Sequence, residues 1–469
     1  MAAWDRRTTP QRTSQQEGLV RTQVVDVVAP FSPWWRARLK ALGVTPTAAG
    51  SLEGLSRLPA AGERDICPDG DPAGAAALVV QAGESGFALH APGPVLRKAL
   101  ASRLLRPGSY RAVVEADTRP TSFVWAGLGL RFPIASTRSD LDVIARAGAR
   151  LWQVLGLTGA DVVVSALPAA ATAAEQALAL GALGAGSPLL RAGDDAEAVA
   201  ESLRLVPATV LALASASASS VVGELVAARA PLASVRTVLL VGAPYDDERA
   251  SVRAALTRAG VPESCLLLAV HVPDGHRLMW AECRQSAGRS GLHTYPDLEL
   301  VQLVDPETGE AGTPDGPSEV VLTQLGLRGS ALVRWRTGDV ADAVQDGACS
   351  GCGRTVPRVV GLRAGALVPL QQLRTGTRAV DVRGIAGALV GRADLVDWRI
   401  VLGPSARDDA DEVLVYVAPT ADADQSDLAV AVAKDIRAAA GLLPTQVLLV
   451  ERADLPYDGV PLSSRVLMR

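Results

Sequence analysis

Lysine is close to missing from this chain. Of 46 basic residues only Lys40, Lys98 and Lys434 are lysines; the others are arginines. Chemistry that needs a compact ammonium therefore has three places to find one, and the planar, permanently charged guanidinium is not its equivalent. A basic surplus is missing as well: the formal net charge is −4 and there is no basic stripe, which argues against a nucleic-acid binder. Cysteine occurs five times, an odd and small number for so long a chain, which argues against a disulfide framework. The opening Met1–Arg7 runs into polar residues without an apolar signal core. The alanine-rich run 168–187 is interrupted by Glu175 and Gln176, so it reads as a packed helix and not a membrane span. No internal repeat is present. These absences point to a cytoplasmic protein that engages neither nucleic acid nor membrane.

What is present is bulk and alternation. With 469 residues, 48% of them hydrophobic, the chain can bury a large core in more than one domain. Residues 1–20 are polar and read as loose; 31–60 read as short helices joined by proline and glycine. Apolar runs at 77–80, 161–164, 187–190, 209–212 and 237–241 read as strands. Helices are expected over 169–183, with Gly184 as the stop, and over 246–259. Strand–helix alternation at this spacing predicts a mainly parallel sheet covered by helices. Runs at 298–304 and 319–323 add a smaller β subdomain. After Gly361–Gly365 the rhythm changes to helix 381–390, strand 397–402, strand 412–418, helix 425–440 and strand 445–451, an α+β order with a polar hairpin at 405–411. The expected division is 1–362 and 363–469.

Two short motifs carry chemistry. In Leu332-Val333-Arg334-Trp335-Arg336-Thr337-Gly338-Asp339 a turn places a carboxylate at a strand end, where Asp339 can grip vicinal hydroxyls such as those of a ribose; its bland alternative is a turn or cap aspartate. Cys349 and Cys352, with Gly351 and Gly353 between and after them, have the shape of a metal knuckle. Two more ligands are needed. Cys283 and His293 are the natural candidates and would complete a closed, structural Cys3His zinc site; the alternative is four reduced, unligated side chains. Cys67 and Cys265 have no such neighbours and read as core residues.

Taken with Cys349–Arg354 and Pro357-Arg358-Val359-Val360-Gly361, the Thr-Gly-Asp segment resembles the phenylacetate–CoA ligase family of adenylate-forming enzymes. The similarity extends along the chain through Pro30–Arg36, Gly43-Val44-Thr45-Pro46, Ser51–Leu55, Leu58-Pro59, Gly242-Ala243-Pro244, Ala281-Glu282-Cys283, Gly291-Leu292-His293 and Asp305–Glu310, in family order. The resemblance implies a large amino-terminal α/β adenylate-forming domain and a small α+β carboxy-terminal lid that rotates between two half-reactions. It implies ATP, magnesium and a small carboxylic acid giving an acyl-adenylate and pyrophosphate, then displacement of AMP by CoA. It places nucleotide contacts at Gly83, Ser85, Gly86, Gly242, Ala243, Pro244, Asp339 and the hinge residue Arg363, and some members of the family carry metal ligands in the order found here.

The sequence also departs from that pattern. Where a Ser-Ser-Gly-Thr-Thr-Gly phosphate loop belongs stands Gln81-Ala82-Gly83-Glu84-Ser85-Gly86. A carboxylate at Glu84, ~5 Å from a phosphate charge, opposes binding by on the order of 3 kcal/mol at an effective dielectric of about 20, unless it turns to solvent or an arginine. The Tyr-Gly-x-Thr-Glu segment is replaced by Val270–His276, leaving Asp274 as the magnesium candidate after a one-residue shift. The hinge acid is gone from Gly361–Gly365. Val460 stands where the family places a lysine, and no lysine follows Lys434.

Three histidines, His90, His271 and His276, fall near the altered motifs. Together with Asp274, His271 and His276 could supply acid–base chemistry; the bland reading is packed imidazoles. The expectation is an acyl-activating ligase-like protein for a small carboxylic acid, aromatic acids included, with Ala169–Ala174 and Ala214–Ser220 lining the acyl pocket and with impaired ATP motifs. The alternative is a non-adenylating homologue with new cleft chemistry or a role in binding an acyl carrier. Partners admitted by this reading are CoA, an acyl carrier protein and a second copy of the chain.

Overall fold

The computed structural model describes residues 3–68, 71–80, 97, 101, 118–127, 131–215, 217–242, 246–288, 291–306, 308–311, 318–365, 367–369, 379–389, 392–404, 411–456 and 465–466. Its centre is a nine-stranded mixed sheet. Strands Leu189–Arg191, Val163–Ala166, Val210–Ala214, Thr237–Val241 and Leu266–His271 run parallel. Trp280–Ala281, Leu292–His293, Arg358–Val360 and Ala343–Gln345 continue the sheet in antiparallel pairing. The parallel strands are covered on both faces, so they read as continuous apolar runs without alternation. Val164, Leu211, Leu213, Val238 and Leu240 pack under the helices Ala196–Leu205, Ala218–Ala227 and Asp246–Arg258. Val163, Val210, Ala212, Leu239 and Leu268 pack on the opposite side with Leu151, Trp152 and Leu178.

The helix Arg138–Leu155 on that second side is fixed by its ends. Thr137 and Asp140 form a reciprocal cap, with Asp140 N–H donating to Thr137 Oγ1 at 3.2 Å and Thr137 N–H donating to Asp140 Oδ2 at 2.9 Å; this satisfies two otherwise orphaned donors. Gly156 closes it in the left-handed conformation at φ 68°. Its neighbour Thr172–Ala185 approaches so closely that a Cβ on Gly148 would lie 2.2 Å from Gly181 Cα.

A three-stranded antiparallel sheet, Glu299–Val304, Ser318–Gln324 and Trp335–Ala341, forms the expected β subdomain. Toward the carboxy terminus, helix Val382–Leu389, strands Leu395–Pro404 and Asp411–Pro419, helix Leu428–Ala440 and strand Gln446–Leu449 appear in the expected order. Ile385, Trp398, Ile400, Val415, Val432 and Ile436 give this segment a hydrophobic cluster of its own.

Three expectations are corrected. Residues 1–20 are not loose: Thr9–Arg21 is a helix, held by polar contacts across the molecule, Arg12 Nη1 donating to Thr355 O at 3.0 Å and Gln16 Nε2 to Pro296 O at 3.1 Å. The run 77–80 is no sheet strand; it closes a 3-10 turn, Pro72–Leu78, and Val79 makes a lone bridge to Ser330. The helix expected to stop at Gly184 continues to Gly186, whose φ of 69° ends it, while Gly184 packs against Ala145 O.

Arg277 ties the layers together. Fully buried, it donates through Nη1 to Ala135 O at 2.6 Å and Asp140 Oδ2 at 3.3 Å, and through Nη2 to Ser330 O at 3.0 Å and to Gln324 Oε1. Removing one member of a buried charged network strands its partners. Arg277→Met is expected to destabilise the fold by about 3–5 kcal/mol, read from the shift in urea midpoint; a change below about 1 kcal/mol would contradict this account.

Candidate active site and metal centre

The antiparallel end of the large sheet assembles the four metal candidates. His293 ends a strand paired to Ala281 on one side and Arg358 on the other. Cys283 follows Ala281 by two residues, and Cys349 and Cys352 sit on the turn between Ala343–Gln345 and Arg358–Val360. Gly351 lets that turn press on Ser286, since a Cβ there would be 2.7 Å from Ser286 Cβ. The ligand atoms of Cys283, His293, Cys349 and Cys352 all lie within 4.8 Å of one another. Cys283 Sγ and Cys349 Sγ are 3.8 Å apart, and Cys352 Sγ is 3.3 Å from His293 Nε2. Four ligands at about 2.3 Å in a tetrahedron stand about 3.8 Å apart, so this donor set fits an ion of the zinc class.

The surroundings agree with that chemistry. His293 Nδ1 lies 3.3 Å from Ala281 O, which fixes the tautomer and leaves Nε2 bare toward the thiols. Burial lowers the imidazole to about 4, so it is neutral at pH 7, as a ligand must be. The thiols are unequal. Hydrogen bonding to Cys283 and burial push Cys352 up. Burial also works against ionising Cys349, but the N–H groups of Cys352 and Gly351 and the Ser286 hydroxyl outweigh it and bring that thiol below its ordinary range. Cys67 and Cys265 are buried core residues, as expected.

The second site lies at the carboxyl ends of the parallel strands, where open α/β sheets bind ligands. His271 ends the strand Leu266–His271, and its Nε2 meets Asp339 Oδ2 at 2.8 Å. Asp339 Oδ1 accepts the Gly365 N–H at 2.7 Å. Asp339 is 1% exposed. Its carboxylate is therefore not free, as the Thr-Gly-Asp turn alone suggested; a diol would have to displace the imidazole or the Gly365 amide.

Asp274 stands at the edge of a small recess shared with Glu63, Glu319, Trp335 and Arg336. Its Oδ1 accepts the Gly127 N–H at 2.8 Å. Burial, reinforced by the charge of Glu63, pushes its carboxyl up to about 8, so a magnesium ion here would first have to strip its proton. Since the folded pKa lies above the ordinary 3.8, the associated stability is full below about pH 4 and drains away as pH rises toward 8. Asp274→Asn is expected to remove that loss: its advantage over the native chain grows between pH 5 and pH 8 in denaturant titrations, and a pH-independent difference contradicts the assignment.

His276 is not in the cleft. It is 1% exposed, with Nε2 2.5 Å from Glu299 Oε2 and Nδ1 3.2 Å from Gln324 Nε2; the turn at Gly275, φ 71°, points it into the core. Arg363 pairs with Asp342 at 3.1 Å, while its backbone bridges Val340. Gly242 ends the strand Thr237–Val241. Gly83, Ser85, Gly86, Ala243, Pro244, Glu84, His90 and Val460 lie outside the described residues. Sequence reasoning missed Gly365 as a partner of Asp339 and Glu63 and Glu319 as neighbours of Asp274; these meet only through long-range pairing, and no local pattern marks them.

No family model matches the chain, and no curated protein matches it in sequence. Solved structures do share its architecture. A 2-hydroxyisobutyryl-CoA ligase in an open conformation, in complex with 2-HIB-AMP and CoA, aligns with a TM-score of 0.61 at 16% identity over 96% of this chain and 90% of that one. The same ligase in the postadenylation state with R3-HIB-AMP gives 0.62 at 16% identity over 96% and 88%. An ATP-bound RpMatB-BxBclM chimera gives 0.50 at 16% identity over 73% and 66%. At these identities the likeness establishes the α/β fold of such ligases and nothing finer. No helix among the described residues is long and apolar enough to cross a membrane.

Proposed function

We propose that this chain is an acyl-activating, ligase-like protein for a small carboxylic acid, divided into an adenylate-forming domain at 1–362 and a lid at 363–469, with its nucleotide-handling half-reaction weakened. What supports the reading is Asp339, which from the antiparallel strand Trp335–Ala341 meets His271 at the carboxyl end of a parallel strand, in a fold shared with solved ligases that hold an acyl-adenylate and CoA. In this reading the described residues of Ala169–Ala174 and Ala214–Ser220 border the acyl group, Arg363 lies at the hinge, and the Cys3His cluster holds a structural zinc ion that pins the β subdomain. The native chain works in the cytoplasm, where its thiols stay reduced.

A second reading has an observation of its own. Both oxygens of Asp339 are already engaged, by His271 and by Gly365. A site that must bind ribose would keep them for the ligand. On this reading the protein receives an acyl group already activated and does not adenylate.

Titration calorimetry with AMP and ATP, and pyrophosphate release with a panel of small aliphatic and aromatic acids, separate the two. Weak, millimolar-range nucleotide binding with acid-dependent pyrophosphate release is the expected result for the first. Absence of nucleotide heat up to millimolar concentration removes it and leaves the second.

A further inference from the structure

The ends of three neighbouring strands carry a row that neither motif announced. Ala214 is in register with Val241, and Val241 with Val270. One residue on, Ser215, Gly242 and His271 stand side by side, and equal register in a parallel sheet sends their Cβ positions to one face. Ser215 N–H donates to Val241 O at 2.9 Å and Gly242 N–H to Val270 O at 2.9 Å, so the row is locked by backbone pairing. Ser215 Oγ lies 3.0 Å from where a Gly242 Cβ would stand. The hydroxyl thus leans over the glycine. Gly242 has φ 115°, a conformation that disfavours any other residue. Adjacent strands are about 4.8 Å apart. Gly242 thus puts no side chain of its own between the Ser215 hydroxyl and the His271 imidazole.

His271 is equipped for proton transfer. A carboxylate can only accept, so Asp339 takes the Nε2–H and Nδ1 is the nitrogen left with a lone pair. Asp339 is in turn held by the Gly365 amide, so the imidazole has one tautomer and one orientation. Among the described residues the Ser215 hydroxyl meets no hydrogen-bond partner, although Ser215 is 5% exposed. An unengaged, nearly buried donor beside a glycine suits a carbonyl oxygen.

We propose that Ser215, Gly242 and His271 form an acyl-transfer site for a short acyl thioester, with Asp339 as the positioning residue. This rests on the second reading above, and names its substrate class. The thioester carbonyl lies over Gly242 and its oxygen accepts from Ser215 O–H. A water or amine on the His271 side attacks the carbonyl carbon while Nδ1 takes its proton. A C–O or C–N bond forms, the C–S bond breaks, and the proton on Nδ1 passes to the departing thiolate. Acid or amide and free thiol result. No oxidant, reductant or nucleotide enters the balance.

The test uses the full chain without ATP, with the benzoyl and propionyl thioesters of N-acetylcysteamine, following thiol release. Release above buffer is expected, falling at least a hundredfold in His271→Ala and partly restored by added imidazole, a rescue that a merely structural histidine would not show. Ser215→Ala is expected to lower kcat about tenfold to a hundredfold with KM little changed, and Gly242→Val to raise KM. Asp339→Asn is expected to shift the acid-side limb of the pH profile, on which the general base His271 loses its proton. Equal rates in the native chain and buffer overturn the proposal, as does release that His271→Ala leaves unchanged. Pyrophosphate release measured on the same preparation separates the failures. Adenylation without thioester turnover removes this inference and the second reading together. Thiol release that is present but indifferent to Ser215 and His271 removes only the site.

Discussion

Cys349→Ser should lower the thermal midpoint by on the order of 10 °C and abolish stoichiometric zinc. A structural ion contributes to folding directly, because no site exists in the unfolded chain, and apparent binding energies of about 10–16 kcal/mol are typical for such ligand sets. Serine is a poor substitute for the thiolate, so even if the remaining three ligands retain part of that energy, a loss of about 5 kcal/mol is reasonable, at about 2 °C per kcal/mol for a large domain. The loss should be local at first. Cys349 and Cys352 hold the turn before the strand Arg358–Val360, and Asp342 N–H donates to Val360 O at 3.0 Å, three residues from Asp339. Metal analysis, calorimetry and a chelator titration check the prediction together. Native protein with no bound zinc and a midpoint indifferent to chelator would show that the four side chains meet for another reason.

The second large effect concerns the position where the resemblance calls for lysine. Val460→Lys should raise acid-dependent pyrophosphate release by on the order of a hundredfold, the scale seen when one preorganised donor to a developing negative charge is added or removed. On the proposed adenylating reading, an ammonium at this position would offset charge growing between the carboxylate and the α-phosphate. His271→Ala in the same background should add to the gain, because it releases Asp339 Oδ2 for a diol. A native chain that already turns over fast, with no improvement from the lysine, would mean that charge reaches the phosphate from another residue.

Much of the architecture could be read from the chain because the parallel strands are buried on both faces. Runs such as Thr237–Val241 announce themselves by composition alone, and the Cys-x-x-Cys spacing marked a ligand pair, for which Cys283 and His293 were the natural candidates to complete a set that does cluster. The misreadings share a different cause. Thr9–Arg21 has almost no apolar stripe, and Arg12, Gln16 and Gln23 anchor the amino-terminal segment through bonds to residues about 300 positions away. Nothing local marks such contacts. His276 and His271 are five residues apart and looked equivalent, yet the turn between them sends one to Glu299 in the core and the other to Asp339 at the strand ends. The Ser215–Gly242–His271 row depends on register between three strands, which no single segment encodes.

The meeting of Gly148 with Gly181 has a consequence for how this lineage can change. Two helices that touch through bare α-carbons offer no slack: a methyl group at Gly148 would strike the Gly181 backbone, and one at Gly181 would strike the Trp152 ring and crowd Gly148. This seam has no neutral route of its own. Related chains that differ widely at the ligand end should still keep two glycines there, and the seam is where distant members can be aligned.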